Sequence, residues 1–303
     1  MIQVSAGPTW GWHEARFDMR AAILDGIVLG LQYGLLGVGL TLVYGLGGVL
    51  NLAHGQMAVL AAIVTSLAMG AGLPALAAIA VGLVVAGALG VALDLTLMRP
   101  VYRLTGEDRV LLGLLLMLGV GFVLDGFLNW QYPIQSLSLR IGGDPVPVLG
   151  VAMRRGSLLA TAITLAVGAV LVVFFRATTL GRAVRSVIQD EVGARLCGIN
   201  PSSVRTLIFG LSGVLAGLVA VTRSMTSPIT SSLGIELTTL ALIVAVVGGL
   251  GSVSGAFTAG VLLGIVTTIS SFYIGTYITT IVLLVAAALT IVLRPSGLLG
   301  GRA

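Results

Sequence analysis

The 303-residue chain contains no lysine; all 16 of its basic residues are arginine. A P-loop needs a lysine to reach the terminal phosphates of a nucleotide, so ATP hydrolysis by that route is excluded. Cysteine occurs once, at Cys197, and histidine twice, at His13 and His54. That leaves no disulfide framework and no cysteine-based metal site. The two histidines fall in different segments, so a thiol nucleophile has no evident base, and Cys197 reads as a small buried apolar residue. Charge is scarce as well: 9% of positions carry it, against about a quarter in soluble domains. An ordinary soluble enzyme is excluded. So is a disordered chain, because 57% of the residues are hydrophobic.

What is present is apolar sequence in long runs, with a mean hydropathy of +1.11 and 43 glycines. At about 20 apolar residues per crossing, the chain has room for eight to ten helical spans with short loops. The expected fold is an all-α polytopic transmembrane helix bundle. Spans are placed near 23–47, 55–71, 74–98, 110–128, 157–175, 206–222, 237–250, 256–273 and 276–293. Backbone amides in hydrocarbon must be paired within their own segment, which makes these runs helices; the alternation of barrel strands is absent. The run 237–250 is short and ends in Gly248-Gly249, so it is a half-helix or its end lies in the next polar stretch. Residues 1–21 read as an N-terminal tail and 22–303 as one transmembrane domain. In the tail Glu14 and Asp18 balance Arg16 and Arg20 without a cleavage pattern, which argues against a removed signal peptide.

The arginines orient the spans. Arg99, Arg103 and Arg109 form one cluster, Arg176, Arg182, Arg185, Arg195 and Arg205 another, and Arg294 and Arg302 mark the C-terminus. Nine spans put all three clusters on one side, the cytoplasm by the positive-inside rule. The loop 129–156 then lies outside and carries Arg140, Arg154 and Arg155 against the trend.

The cytoplasmic loop 176–205 predicts a short amphipathic helix over 182–197. Val184, Val187, Ile188, Val192 and Leu196 recur at helical spacing on one face, with Arg182, Arg185, Gln189 and Asp190 mainly on the other. Gly198 suits a helix C-terminus, and Asn200-Pro201 starts the next helix. Such a helix either lies on lipid headgroups or docks into a groove on a partner protein. Two further polar breaks interrupt the apolar runs. Asn51, His54 and Gln56 cluster beside Gly45, Gly47, Gly48 and Gly55, and Gly248, Gly249, Gly251 and Ser252 form a second glycine-rich break. Broken helices can line a polar path; a plain inter-span turn with capping side chains is the alternative. Gln32, Tyr33 and Tyr44 in the first span are further candidates to face a pathway. His54 lacks a second histidine or a carboxylate for metal binding or proton relay. Asp94, Asp125 and Glu236 sit near proposed span ends, where snorkelling or capping is cheap. No run of intramembrane carboxylates suggests a proton-coupled pump.

Residues 181–200 resemble the cytoplasmic coupling loop of ABC-transporter permeases, specifically branched-chain amino acid permeases of the LivH type. Three other segments match that family in order. Gly48-Val49-Leu50-Asn51-Leu52-Ala53-His54-Gly55-Gln56 is similar to its N-terminal signature. Gly248-Gly249-Leu250-Gly251-Ser252-Val253-Ser254-Gly255-Ala256 is similar to its glycine-rich segment. Arg294-Pro295-Ser296-Gly297-Leu298-Leu299-Gly300 is similar to its C-terminal ending, with leucine in the phenylalanine place.

The resemblance implies a permease subunit of an inner-membrane importer, with no catalytic residues, no metal and no cofactor of its own. ATP and Mg would sit on two partner ATPase subunits. A second permease, identical or homologous, and an extracytoplasmic solute-binding protein would complete the assembly in the lipid bilayer; nucleic acid has no part in it. The implied coupling residues are Arg182, Arg185, Gln189, Asp190, Glu191 and Gly198. Path candidates are Gln32, Tyr44, Asn51, His54, Gln56, Gly248, Gly249, Gly251 and Ser252. The implied solute is a branched-chain or related small amino acid, with urea or a short amide as the alternative. A secondary transporter or channel, needing no docking helix, is the rival class.

Overall fold

Helix α1 (Met19–Gly47) is the axis of the bundle: apart from its outer end, almost every residue along it is buried. The computed structural model describes residues 19–139, 141–294 and 296–299. Most of the expected tail, with His13, Arg140, Pro295, Gly300 and Arg302, lies outside that set. Around α1 pack α9 (Pro201–Ser224), α10 (Gly234–Gly248) and α11 (Val253–Ile274), and α2 (His54–Gly70) lies against α9 and α10. Helix α3 (Ala75–Leu93) lies against α2 and α9. It continues through a π-helical turn, Asp94–Met98, into the short α4 (Arg99–Val101). Helices α5 (Gly106–Gln131), α6 (Arg155–Ala177) and α12 (Thr276–Leu293) are apolar and largely exposed in the isolated subunit.

Glycine sets the central packing. Apolar area gives helices no preference for each other over lipid tails, so close backbone approach at small residues decides which helices meet. Gly26, Gly30 and Gly34 of α1 lie on one stripe, four residues apart, and face α11. A β carbon on Gly30 would lie 2.6 Å from the Cα of Val261, and one on Gly26 would lie 2.7 Å from the Cα of Ile265. Gly260 and Gly264 of α11 press on the backbones of Gly34 and Gly30 in return.

Among the described residues eight helical segments are long and apolar enough to cross a membrane, and a ninth, α2, is apolar but shorter. The nine expected runs all recur as helices. The short run 237–250 gains its length at the other end: a 3₁₀ turn (Ser231–Leu233) leads into α10, which stops at Gly248, where Gly249 takes φ +102°. Outside the membrane two small strand pairs brace the loops. Ser136–Leu137 pairs with Ile229–Thr230, and Val146–Val148 forms a hairpin with Val151–Met153.

Three expectations need correction. The loop 176–205 holds two helices, α7 (Thr179–Gln189) and α8 (Glu191–Leu196), instead of one. The break falls at Asp190, whose extended backbone and side-chain bond to the Val192 amide make it the N-cap of α8. Cys197 is exposed, because it follows the last turn of α8 beside Gly198. Asp94 does not snorkel; it is buried at the π-helical turn and accepts a hydrogen bond from the Thr206 hydroxyl.

Candidate functional site

The end of the bundle that carries α7 and α8 is organised by Arg205, at the start of α9. Its Nε donates to the carbonyl of Leu46 at the end of α1 at 3.0 Å. Its guanidinium lies 4.4 Å from the centre of the Tyr102 ring and pairs with the Glu191 carboxylate. Arg195 bonds the other Glu191 oxygen at 2.5 Å. Burial works against the Glu191 carboxylate, but Arg205, with Arg195 behind it, outweighs burial and holds the carboxyl below its ordinary value. The Tyr102 phenol is pushed up by burial, and it remains neutral between Arg205 and Arg109. One arginine thus joins α8, α9, α1 and the turn after α4.

Helices α7 and α8 divide the expected apolar face. Val184 and Val187 are buried against the bundle, while Ile188 packs only partly, near Gly45. After the Asp190 break, Val192 and Leu196 turn outward and are 67% and 85% exposed. Arg182, Gln189 and Asp190 are exposed too. Arg185 bonds the Phe175 carbonyl at the end of α6. Gly198 takes φ +82° directly after α8, and Asn200 caps α9 through the Ser202 amide, with Pro201 at its first turn.

The two glycine-rich breaks meet at this end: a β carbon on Gly45 would lie 3.5 Å from the Cα of Gly251. Beyond Gly48 (φ +66°) the chain runs non-helically back into the membrane before α2 starts at His54. His54 packs against Gly39, six residues of α1 before Gly45, or about 9 Å of helix rise. Helix α2 therefore begins inside the bilayer. Irregular backbone is tolerated there because protein covers it; Val49, Asn51 and Ala53 are buried. The Asn51 Oδ1 accepts from the Ala53 amide, the His54 Nδ1 lies 3.2 Å from the Ser212 hydroxyl, and Thr238 takes the Gly55 amide and donates to the Gln56 Oε1. This is a packed polar knot, of which Gln56 and Thr238 reach a small cavity of about 160 Å³.

At the second break Ser252 caps α11 through the Gly255 amide and donates to the Leu299 carbonyl. The C-terminal segment closes over it: the Leu298 and Leu299 amides bond the carbonyls of Val247 and Gly248. Gly251 and Ser252 also line a mainly apolar cavity of about 590 Å³ with Arg185 and Gln189. Tyr44 is partly buried in the last turns of α1.

Gln32 stands apart from these residues, near the other end of the molecule. It lines a cavity of about 500 Å³ together with Asp25, Arg154 and Arg223. The sequence reading did not single out Asp25 or Arg223. Each stands alone near the end of a different span, and only the fold brings them together. The available signal was that charges at 25 and 223 lie at the outer ends of α1 and α9, near the arginines that break the orientation rule.

The family model of the branched-chain amino acid transport system permease component matches residues 22–293. The high-affinity branched-chain amino acid transport system permease protein BraD of Pseudomonas aeruginosa is 29% identical over 294 residues, covering 92% of this chain and 94% of that one. The high-affinity branched-chain amino acid transport system permease protein LivH of Escherichia coli is 28% identical at the same coverage. The ribose import permease protein RbsC of Escherichia coli is 31% identical over 94 residues, 29% of each chain. Among solved structures, PsaBC from Streptococcus pneumoniae in complex with Fab superposes with a TM-score of 0.51 at 14% identity, covering 93% of this chain and 94% of that one. At that identity the likeness is one of fold.

Proposed function

The chain belongs to the family of branched-chain amino acid transport permease components, and from that premise we propose how this multi-pass membrane subunit works. It forms one part of the membrane path of an ATP-driven importer in the inner membrane. A second permease, two ATPase subunits carrying ATP and Mg, and an extracytoplasmic binding protein complete the machine. The solute is a branched-chain or related small amino acid.

The observation that carries this reading is the face made by Val192 and Leu196. Apolar side chains 67% and 85% exposed on a cytoplasmic helix are costly unless a partner covers them, and a short helix laid in a groove is a recurrent docking mode. The Glu191–Arg205 pair anchors that helix to the bundle. Movement of a bound ATPase thereby reaches α9 and the end of α1 without passing through a flexible loop. Arg182, Gln189 and Asp190 supply the polar rim of the docking face, Arg185 braces α7 on α6, and Gly198 allows the sharp exit from α8. A channel or secondary transporter has no use for this assembly.

The path runs beside α1, from the outer cavity at Gln32 towards Tyr44 and the apolar cavity lined by Gly251 and Ser252. Asn51, His54 and Gln56 form the knot on which α2 pivots, and Gly248 and Gly249 free the end of α10 to move relative to α11. The chain itself breaks no bond. Co-purification with ATPase partners, followed by amino acid uptake in vesicles, tests the reading. Uptake is expected to require the ATPases; normal uptake without them overturns it.

A further inference from the structure

The outer cavity combines charges of both signs with an apolar wall. Asp25 contributes a carboxylate from α1, Arg154 a guanidinium from the loop before α6, and Arg223 a second guanidinium from the end of α9. Among the described residues Asp25 forms no ion pair with either arginine, although the charge of Arg154 acts on it. Opposite charges thus share one cavity without a direct ion pair between them. Deeper in the same cavity lies Gln32, 1% exposed. Its Nε2 donates to the Thr222 carbonyl at 3.3 Å, and its Oε1 is buried with no partner. A buried acceptor without a donor is expensive, and a ligand N–H would satisfy it. Val28, Leu29 and Met153 give the cavity an apolar wall. Its volume, about 500 Å³, falls within the roughly 300–1,000 Å³ of small-ligand sites.

We infer that this cavity is a subsite for a free α-amino acid zwitterion with an aliphatic side chain. The ammonium group lies between the Asp25 carboxylate and the Gln32 Oε1, the carboxylate is held by Arg223 and Arg154, and the side chain rests on Val28, Leu29 and Met153. Arginine suits the carboxylate end because its planar fork can bond both oxygens. The inference deepens the importer reading and rests on it. It adds the place on this chain where the solute is received from the outer side.

The test uses the chain purified with its native partners in nanodiscs, carrying Cys197→Ser and a single new thiol from Thr226→Cys in the cavity wall. Leucine at millimolar concentration is expected to slow maleimide labelling of that thiol at least fivefold. Isocaproate, which lacks the ammonium, and isoamylamine, which lacks the carboxylate, are expected to protect far less. Asp25→Asn, an exposed substitution with little bearing on folding, is expected to abolish protection by leucine. Protection by isocaproate equal to that by leucine, or protection that survives Asp25→Asn, overturns the zwitterion assignment. Leucine uptake by the same labelled complex separates the two readings. Uptake without protection sinks the subsite alone, whereas absence of any ATP-dependent amino acid uptake by the unmodified complex sinks the importer reading beneath it.

Discussion

Glu191 and Arg205 grip each other across fourteen residues of sequence, and Arg205 in turn holds the last carbonyl-bearing turn of α1 at Leu46. Replacing Arg205 with leucine removes the ion pair, that hydrogen bond and the stacking on Tyr102 together. A loss of about 2–5 kcal/mol is expected, the range for truncating one partner of a buried charge pair. Glu191→Gln keeps the shape and one bond, and about 1–2 kcal/mol is expected for it. Thermal unfolding of the detergent-solubilised complex ranks the two; equal effects would show that Arg205 acts through Glu191 alone.

The same pair predicts a pH response. The folded-state pKa of Glu191 is depressed, so its contribution is fully present above the ordinary value of 4.5 and is lost as pH falls below it towards the folded value. ATPase co-purification is expected to be flat from neutral pH down to that value and to weaken below it. In Glu191→Gln that acid limb should disappear.

Leu196→Ser and Val192→Ser alter side chains that touch water in the isolated subunit. Stability is expected to change by less than about 0.5 kcal/mol, while affinity for the ATPase falls about tenfold, the scale of an interface residue worth more than 1 kcal/mol. Melting temperature and surface plasmon resonance on the same preparation separate the two effects.

The glycine seam makes a prediction about volume. Gly264→Ala would push a β carbon onto the backbone of Gly30, and overpacking of this kind costs about 1–3 kcal/mol. Gly126→Ala on the lipid-facing α5 meets nothing within contact range and should be neutral or stabilise by about 0.5–1 kcal/mol, because alanine is the better helix former. Unfolding midpoints that fail to separate these two variants would dispose of the seam as a stabilising element.

Gly297 has φ +77° and lies against the backbone of Gly249. Alanine there faces both backbone strain and overlap, so Gly297→Ala is expected to release the C-terminal segment from α10. Faster hydrogen exchange at the Leu298 and Leu299 amides, with α12 unchanged, is the expected signature.

The helical spans were legible because nothing but an apolar helix fits long apolar runs, and the caps at Asn200-Pro201 and Gly198 were legible because their chemistry is local. The break at Asp190 was not: apolar spacing continues smoothly through Val192 and Leu196, and periodicity cannot register a side chain that caps its own backbone. The start of α2 inside the bilayer was hidden too, since Gly39 and Thr238, which receive His54 and Gly55, lie on other helices. The outer cavity was the least readable feature. Asp25 and Arg223 each look like an unremarkable charge near a span end, Arg154 stands out only against the orientation rule, and Gln32 only as a polar residue in the first span.

The stripe of glycines between α1 and α11 also bears on how force travels. Where Gly26, Gly30 and Gly34 bring the two backbones together there is little side chain between them to deform, so α1 and α11 are expected to shift together. Arg205 fastens the Leu46 end of α1 to α8 through Glu191, and Asp25 lies near the other end of the same helix. Under the proposed function, a displacement applied at Leu196 is therefore expected to reach the opposite end of the bundle, where Asp25 and Gln32 line the outer cavity.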